Sequence, residues 1–470
     1  MRVAKCPVGN ASGCHVAERT TENATVGLSP NAVNVVHALS STRRSLAHPR
    51  TLLIGPNRVL AGLGTSLVAA QVVMAVTGLL SARWLGPSGK GLVAAASTWG
   101  QLLGWFVGLG LGFAMQVRIA EEPDTSKDSV TSTALGNGFL YSALVGAIAG
   151  FIGFLLLSRA LAHLGPEAGT VVALTVLPIP VALLASVLAF MQLGLGRHRI
   201  YAILTISGPT STLILLLMVT AVSGGLSAIT VVSCNLAGSL VALLFAARQL
   251  PWRSTRIDLH VLCDDIRFGA KTWLTSVIGL ANLRLDLLVL TIFVSAGEIG
   301  LYSAANNVMM PITAVPAAIS LLAAPRAARL RTQADPLTSI NAIWNSTRNA
   351  LLIALGGGAV LAVAAPVIVP ALLGSAYRPA IQLIWILIAG YVARAVAGVI
   401  IAGANGMRLP GAGYLSEGVG LIVTLALLPF LLPRWGITGA AATSTLAYTA
   451  SGIAAIWWLA KLRRQATAAV

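Results

Sequence analysis

Charged residues are scarce in this chain of 470 residues, and acidic residues are the scarcer kind, with 14 Asp and Glu against 31 Lys and Arg. Only 10% of the residues are charged, whereas 56% are hydrophobic, and the mean hydropathy is +0.84. A soluble protein of this length needs a much larger charged fraction to cover its surface. The composition therefore excludes a water-soluble globular protein and predicts an integral membrane protein with many spans.

Cysteine and histidine are too few and too scattered to form a metal or redox site. The four cysteines, Cys6, Cys14, Cys234 and Cys263, have no metal-ligand or redox spacing and predict no disulfide framework. All six histidines fall in the N-terminal tail or in loops, and the sequence offers no nucleophile paired with a base. We therefore expect no cofactor, no metal and no catalytic residue.

A long hydrophobic run is missing from the N-terminus. The first 58 residues are polar and rich in Ser, Thr, Asn and Arg. They lack the apolar core of about 7–15 residues that a cleaved signal peptide requires. We interpret residues 1–58 as a disordered cytoplasmic tail or as an over-long start of the reading frame, and we expect no function there.

Apolar runs of about 20 residues, long enough to cross the hydrocarbon layer as helices, fill the rest of the chain. Each run is closed by Gly, Pro or a charged residue. The pattern predicts an all-α membrane protein with about 12 transmembrane helices, at 59–81, 91–116, 133–157, 169–192, 200–221, 226–247, 272–294, 299–324, 349–373, 380–403, 412–432 and 437–460.

Lysine and arginine predict the orientation of these spans. With a cytoplasmic N-terminus, 24 of the 31 basic residues lie on the cytoplasmic side, five lie outside, and Arg284 and Arg394 lie within spans. This bias follows the positive-inside rule and predicts that both termini are cytoplasmic. The net charge of +17 is then explained by topology and by contact with anionic lipids, not by nucleic-acid binding.

The two halves of the chain resemble each other. The segment Gly91–Ala96 matches Gly300–Ala305 at an offset of 209, and Gly225-Leu226 matches Gly436-Ile437 at an offset of 211. Matches at a near-constant offset indicate an internal duplication. Because each half holds an even number of spans, the two halves would be parallel repeats related by an axis along the membrane normal.

The repeats define the predicted domains. We expect a first six-helix lobe at 59–248, a cytoplasmic linker at 249–268 and a second six-helix lobe at 269–463. A short C-terminal tail follows at 464–470. Two lobes of this kind would enclose a central cleft near the middle of the membrane.

The seventh predicted span carries Asn282, Arg284 and Asp286 near its middle. Each charge would cost about 2.5–3.5 kcal/mol in the middle of a bilayer, which argues against exposure to lipid. On a helical wheel Asn282 and Asp286 share a polar stripe, and Arg284 points about 200° away from Asp286. The interpretation is a helix that lines a polar cavity for a charged ligand. The alternative is an interhelical lock in which each charge is satisfied inside the bundle.

Further polar residues lie in the same half. Arg394 shares a face of the tenth span with Tyr391, and Glu417 fits either an interfacial or a buried position. The first half has no ionisable residue at mid-membrane depth by the predicted span limits. The candidate cavity residues are Asn282, Arg284, Asn306, Asn307, Tyr391 and Arg394.

The segment Arg83–Gly91, RWLGPSGKG, resembles the R-x-LGP-x-G-x-G hairpin of polysaccharide exporters. These are the lipid-linked oligosaccharide flippases of the multidrug/oligosaccharidyl-lipid/polysaccharide (MOP, MATE-like) superfamily. The Gly-Leu-Gly-Arg197 turn followed by Tyr201, and the Gly-x-x-Gly-Leu-Tyr302 segment, are similar to that family too. The resemblance covers about residues 59–463 and implies two six-helix lobes that rock between inward-open and outward-open states.

The resemblance also implies a function. The substrate would be a polyprenyl-diphosphate-linked oligosaccharide, moved to the outer leaflet of a bacterial inner membrane by a protein that works as a monomer. Its partners would be membrane lipids, glycosyltransferases and a polysaccharide polymerase. Related exporters bind a coupling cation at an acidic residue, which makes Asp286 the ion-coupling candidate. Some members have several cavity arginines where this chain has two.

Three alternatives stay open. A cation-coupled multidrug or small-molecule antiporter of the same superfamily would also use Asp286. A lipid II flippase is a second alternative, although such proteins tend to carry two additional helices. A membrane-embedded glycan polymerase or ligase is the third, and the short outer loops argue against it.

Overall fold

The computed structural model describes residues 56–123, 125–250, 255–333 and 336–468. Within these ranges the backbone is almost wholly helical and has no β-strand. Helices satisfy their own backbone amides, which is necessary in a membrane interior that lacks water. The predicted fold class, an all-α membrane protein, is confirmed. The predicted tail lies outside the described residues, except for its last three residues, which begin the first helix.

The helices are numbered here in chain order. The first half contains α1 Pro56–Gly108, α2 Leu111–Glu121, α3 Lys127–Ala160, α4 Ala168–Val176, α5 Ile179–Gly194, α6 His198–Ser223 and α7 Ala228–Arg248. The second half contains α8 Leu259–Phe293, α9 Ala296–Gln333, α10 Pro336–Leu373, α11 Ala380–Gly406 and α12 Gly411–Ala468. Short 3₁₀ turns lie at Ala162–Leu164 and Ser375–Tyr377.

The long helix α1 is a hairpin. Its backbone leaves the helical region at Gly86, where φ is 66° and ψ is 178°. In a straight helix residues 81 and 90 would be about 13 Å apart along the axis. The chain instead reverses at Gly86, and the reversal brings Lys90 Nζ within hydrogen-bonding distance of Ser81 Oγ, at 3.1 Å. Glycine tolerates the positive φ that this reversal requires.

Nine helical segments in the described part of the chain are long and apolar enough to cross a membrane. These segments show that the chain is a multi-pass membrane protein. Two of the nine belong to α1 and α12, which are interrupted at Gly86 and at Gly436. Helix α8, which carries Arg284 and Asp286, is not among the nine. The count of twelve spans stays a prediction.

The segments that match in the two halves of the sequence also contact each other. A Cβ on Gly91 would lie 1.6 Å from the carbonyl oxygen of Ala296, and one on Gly300 would lie 1.8 Å from that of Pro87. The offset of 209 that relates Gly91 to Gly300 also relates Pro87 to Ala296. The part of α1 after the reversal, residues 87–108, is called its return arm. This arm and the start of α9 therefore cross in a pseudo-symmetric contact that only glycine permits.

The predicted linker at 249–268 is partly helical. Helix α8 begins at Leu259, and Asp258 caps it by accepting hydrogen bonds from the backbone N–H groups of His260 and Val261 at 3.0 and 3.1 Å. Such a cap satisfies backbone donors at the start of a helix. Residues 251–254 of the linker and 469–470 of the C-terminal tail lie outside the described residues. The predicted lobe boundaries stay predictions.

Candidate functional site

A cavity of about 1000 Å³ lies between the first-half helices and helices α8 and α9. Its wall runs along the return arm of α1, from Lys90 near the Gly86 reversal to Gly108. Polar side chains that can hydrogen-bond to a ligand are spread over this wall; they include Thr77, Ser81, Gln101, Asn235, Ser303 and Asn307.

The charged groups of this wall are all basic. Arg284 reaches the cavity from α8, and Lys90 reaches it from α1, while no carboxylate lies among the described residues of the wall. The Arg284 Nε atom is buried and has no hydrogen-bond partner in the described part of the chain. A confined, positively charged wall of this kind favours an anionic ligand.

Asp286 lies in the packed interior of the second half and not on the cavity wall. The residue is 3% exposed. Its carboxylate accepts hydrogen bonds from the Tyr302 hydroxyl, from Ser444 Oγ at 2.6 Å and from the Leu287 backbone N–H at 2.7 Å. These donors belong to α8, α9 and α12, so Asp286 connects three helices.

A second network, which is partly buried, contains Arg394 and Glu417. Arg394 Nη1 lies 2.6 and 2.7 Å from the two carboxylate oxygens of Glu417, and Asn282 Nδ2 donates to the same carboxylate at 2.8 Å. The Arg394 and Glu417 side chains are 22% and 13% exposed. Glu417 is thus partly buried between helices, and the sequence-based choice between an interfacial and a buried position in the membrane stays open. The network joins α8, α11 and α12.

The two candidate asparagines of α9 have different surroundings. Asn306 Oδ1 accepts a hydrogen bond from the Tyr391 hydroxyl at 3.1 Å, which links α9 to α11. Asn307 lines the cavity, and its Nδ2 lies 2.8 Å from where a Cβ on Gly78 would stand. The structure thus places Arg284 and Asn307 on the cavity wall, and Asn282, Asp286, Asn306, Tyr391 and Arg394 in contacts between helices.

Lys90 was not predicted as a site residue, because the orientation assignment counted it in an outer loop. The structure buries it to 7% exposure on the cavity wall. The signal that could have identified it is a helical spacing to Ser97 and Gln101, which also line the cavity. That spacing is informative only once the helix is known to begin directly after the Gly86 reversal.

At the end of the cavity away from Gly86, α2 contacts α8. Arg118 Nε donates to Asp265 Oδ1 at 2.7 Å. A Cβ on Gly110 would lie 2.6 Å from the carbonyl oxygen of Gly269, so the two backbones touch. Burial raises the pKa of Asp265, and Arg118 acts in the opposite direction. This contact joins the two halves of the sequence close to the predicted cytoplasmic surface.

Comparison with known proteins supports a transporter fold. The family model "Polysaccharide biosynthesis protein" matches residues 80–382. A search of curated proteins by sequence finds no match.

Several solved structures are similar to this chain. Lipid II flippase MurJ in an inward-closed conformation has a TM-score of 0.71 and 12% identity, covering 86% of this chain and 90% of that one. An inward-facing multidrug resistance MATE family transporter of the MOP superfamily has a TM-score of 0.63 and 13% identity, covering 93% and 99%. A MOP superfamily transporter from Pyrococcus furiosus has a TM-score of 0.57 and 14% identity, covering 87% and 96%. At such identities the similarity establishes the fold.

Proposed function

This chain belongs to the polysaccharide biosynthesis protein family, and we propose that it flips a polyprenyl-diphosphate-linked oligosaccharide from the cytoplasmic to the outer leaflet of a bacterial inner membrane. The observation that carries this proposal is the cavity of about 1000 Å³, whose described wall contains two cations and no carboxylate. The proposed partners are membrane lipids, glycosyltransferases and a polysaccharide polymerase, with the chain acting as a monomer.

The diphosphate is the part of such a substrate that most needs a protein path. Moving an ionised phosphate through hydrocarbon without partners is prohibitively costly. Arg284 offers a guanidinium in the cavity whose Nε has no partner among the described residues. A guanidinium can form two parallel hydrogen bonds to phosphate oxygens. Arg284 is therefore the proposed diphosphate ligand.

The sugar part requires space and hydrogen-bonding groups. The cavity volume of about 1000 Å³ is at the upper end of the roughly 300–1,000 Å³ that is usual for small-molecule sites. The hydroxyl and amide groups of its wall can donate to sugar hydroxyls and accept from them. The polyprenyl chain would stay between the helices and the lipid, where no polar group has to be satisfied.

Asp286 is the proposed ion-coupling residue. It lies two positions after Arg284 in α8, and its carboxylate accepts from the hydroxyls of Tyr302 and Ser444. Binding of a proton or a cation there would change the hydrogen bonds that hold α8 to α9 and α12. A change in substrate position at Arg284 and a change in ion occupancy at Asp286 would then act on the same helix.

A multidrug antiporter is the nearest alternative, since MATE family transporters share the fold. A pocket for cationic drugs would need a carboxylate that faces the drug. The described wall has none, and the acidic groups closest in the sequence to Arg284 and Arg394, Asp286 and Glu417, are engaged in contacts between helices. The charge of the wall therefore favours an anionic substrate.

The direct test uses the full-length chain in proteoliposomes that contain a fluorescent undecaprenyl-diphosphate-linked oligosaccharide. A lectin added outside reports the fraction of sugar that reaches the outer leaflet. We expect the wild type to flip this lipid and Arg284→Ala to reduce the initial rate by about tenfold or more. Arg464→Ala, an exposed arginine at the end of α12, is the matched control and keeps the wild-type rate.

Two further versions of this proteoliposome assay distinguish the alternative substrates. Lipid II replaces the oligosaccharide lipid in one, and a fluorescent cationic drug replaces it in the other. Efflux of the drug without movement of either lipid would refute the flippase proposal and favour the antiporter. Movement of lipid II alone would change the substrate to a peptidoglycan precursor.

A further inference from the structure

Lys90 is a charged cavity residue to which the proposed function assigns no role. It is 7% exposed, and its one hydrogen bond within the described part of the chain goes to Ser81 Oγ at 3.1 Å. An ammonium group has three N–H donors. Two of them therefore have no acceptor among the described residues, and no described carboxylate pairs with the charge.

An unpaired buried ammonium is costly, because the protein interior replaces the water that solvated it. Buried ionisable groups in a membrane protein usually face a pathway or a binding site. Lys90 fits this description since its side chain lines the cavity. A ligand with anionic oxygens would complete its hydrogen bonds and balance its charge.

The groups around Lys90 add donors and no negative charge. Ser81 Oγ accepts from Lys90 and donates to the Gly78 carbonyl at 3.0 Å. The Asn307 amide lies against Gly78 from the other half of the chain, and it lines the same cavity. This end of the cavity can therefore present the ammonium and an amide to phosphate oxygens, with the hydroxyl holding the lysine in place.

We propose that Lys90 forms a second phosphate-binding site, at the end of the cavity next to Gly86 and separate from Arg284. Lys90 lies at one end of the α1 return arm, and Gly108, 18 residues later, lines the other end of the cavity. The arm between Lys90 and Gly108 is about 27 Å long by helical rise. Gly91, next to Lys90, contacts Ala296 just after the end of α8 at Phe293. Arg284 lies nine residues before that end, about 14 Å along the helix. The phosphate of a substrate would thus meet the two cations at different positions along the cavity.

The route of the substrate follows from the predicted orientation, and this part of the inference rests on the proposed function. The Gly86 reversal is on the outer side when both termini are cytoplasmic. A diphosphate lipid that enters from the cytoplasm would bind Arg284 first and Lys90 second. Lys90 would then hold the phosphate at the outer end, immediately before release to the outer leaflet.

The competing explanation is a structural lock, in which Lys90 and Ser81 only hold the two arms of the α1 hairpin together. Three substitutions separate the two roles. Lys90→Met removes the charge, Lys90→Gln keeps a donor that can reach toward Ser81, and Ser81→Ala removes the acceptor but keeps the charge. A lock predicts similar losses of thermal stability for Lys90→Met and Ser81→Ala, with no effect on anion binding.

The experiment measures binding of inorganic pyrophosphate to the full-length chain in nanodiscs of zwitterionic lipid, by titration calorimetry. We expect Lys90→Met and Lys90→Gln each to weaken binding by about tenfold or more, because a charge-assisted hydrogen bond is lost. Lys90→Arg and Ser81→Ala should stay within about threefold of the wild type. Lys461→Met is the matched control, since Lys461 is exposed and lies 5.2 Å from the Trp457 ring centroid, away from the cavity wall.

Pyrophosphate binding that is unchanged in a folded Lys90→Gln protein would overturn the inference. A wild type that does not bind pyrophosphate would overturn it as well. If the same titration with glucuronate then shows binding, the site selects an acidic sugar instead. The lectin assay separates this inference from the proposed function. Full flipping by Lys90→Met would overturn the role of Lys90 alone. Pyrophosphate binding that depends on Lys90, in a protein that flips no oligosaccharide lipid, would keep the site and refute the proposed function.

Discussion

Arg118 in α2 and Asp265 in α8 form an ion pair, at 2.7 Å, between the two halves of the sequence. The pair lies at the end of the cavity opposite Lys90, beside the backbone contact between Gly110 and Gly269. Helices α2 and α8 must separate if this end is to open. Arg118 therefore offsets part of the cost of burying the Asp265 carboxylate in the arrangement in which the predicted cytoplasmic end is closed.

Arg118→Met should destabilise the closed arrangement of α2 and α8, because it leaves the Asp265 carboxylate, whose side chain is 3% exposed, without its cation. The loss should be about 1–3 kcal/mol, below the value for a fully buried pair, because the Arg118 side chain is 33% exposed. Spin labels on Glu121→Cys and on the exposed Cys263 report the distance between these helices when the tail cysteines are replaced by serine. We expect a larger population of long distances.

Asp264→Asn is the control for this variant. Asp264 is the neighbouring carboxylate, and its side chain is 49% exposed and 3.5 Å from the His260 ring nitrogen Nδ1. It contacts no residue of α2 by hydrogen bond or ion pair in the described part of the chain. Its distance distribution should match that of the wild type. A shift of equal size in both variants would show that Arg118–Asp265 has no special role.

The same distance should depend on pH. Burial raises the pKa of Asp265 in this closed arrangement, against the opposing effect of Arg118. The closed arrangement therefore binds a proton more tightly than an arrangement with Asp265 in water. Protonation of Asp265 therefore stabilises the closed arrangement. This stabilisation is fully present below the ordinary aspartate pKa of about 4, and it is lost as the pH rises through the raised pKa of Asp265.

The measurement is the fraction of short distances between the spin labels across this pH range. It should increase on acidification, and the increase should be smaller in Asp265→Asn. The other titratable groups nearby are Asp264 and His260 on α8. An unchanged pH profile in Asp265→Asn would assign the effect to them.

Gly91→Ala should prevent normal packing of α1 on α9. The added Cβ would lie 1.6 Å from the Ala296 carbonyl oxygen, which is backbone and cannot move aside alone. We expect a loss of more than about 3 kcal/mol, seen as a lower melting temperature in detergent or as poor insertion. Gly356→Ala in α10 is the control, since no atom lies within 4 Å of its Cβ position. It should be neutral or slightly stabilising.

Arg394→Met should destabilise the second half more than the double variant Arg394→Met/Glu417→Gln. The single change leaves the Glu417 carboxylate, 13% exposed, without its cation, while the double change removes both charges. We expect the second change to recover about 1–2 kcal/mol in thermal unfolding. Wild-type flipping by the double variant would identify the pair as an interhelical lock. Loss of flipping in a stable double variant would give Arg394 a role in transport.

Asp286→Asn should remove ion coupling without unfolding the protein. Asparagine retains an acceptor for the Tyr302 and Ser444 hydroxyls, but it cannot bind and release a proton or hold a cation. We expect the flipping rate to lose its dependence on an imposed proton or sodium gradient. Thr443→Ser, at a buried α12 position beside Ser444, controls for disturbance of the helix contact. A mutant rate that still follows the gradient would assign coupling elsewhere.

The amino-acid sequence by itself determined the class of this protein. Apolar runs of about 20 residues, in a chain with only 10% charged residues, can satisfy their backbone groups in a membrane as helices, whatever the packing between them. The hairpin at Arg83–Gly91 could also be recognised from the sequence, because the reversal depends on a glycine inside the motif itself, Gly86. The paired repeats at Gly91 and Gly300 indicated duplication, and the structure shows that these two glycines lie at one contact.

Only the tertiary structure decided which polar groups face the cavity. A helical wheel gives the angle between Arg284 and Asp286, but it does not say which neighbouring helix stands on each side. Lys90 became a cavity residue because the chain reverses beside it. Arg118 and Asp265 are 147 positions apart, and no local pattern relates them. Such contacts depend on the packing of whole helices, because each side chain takes its surroundings from residues that are distant in the sequence.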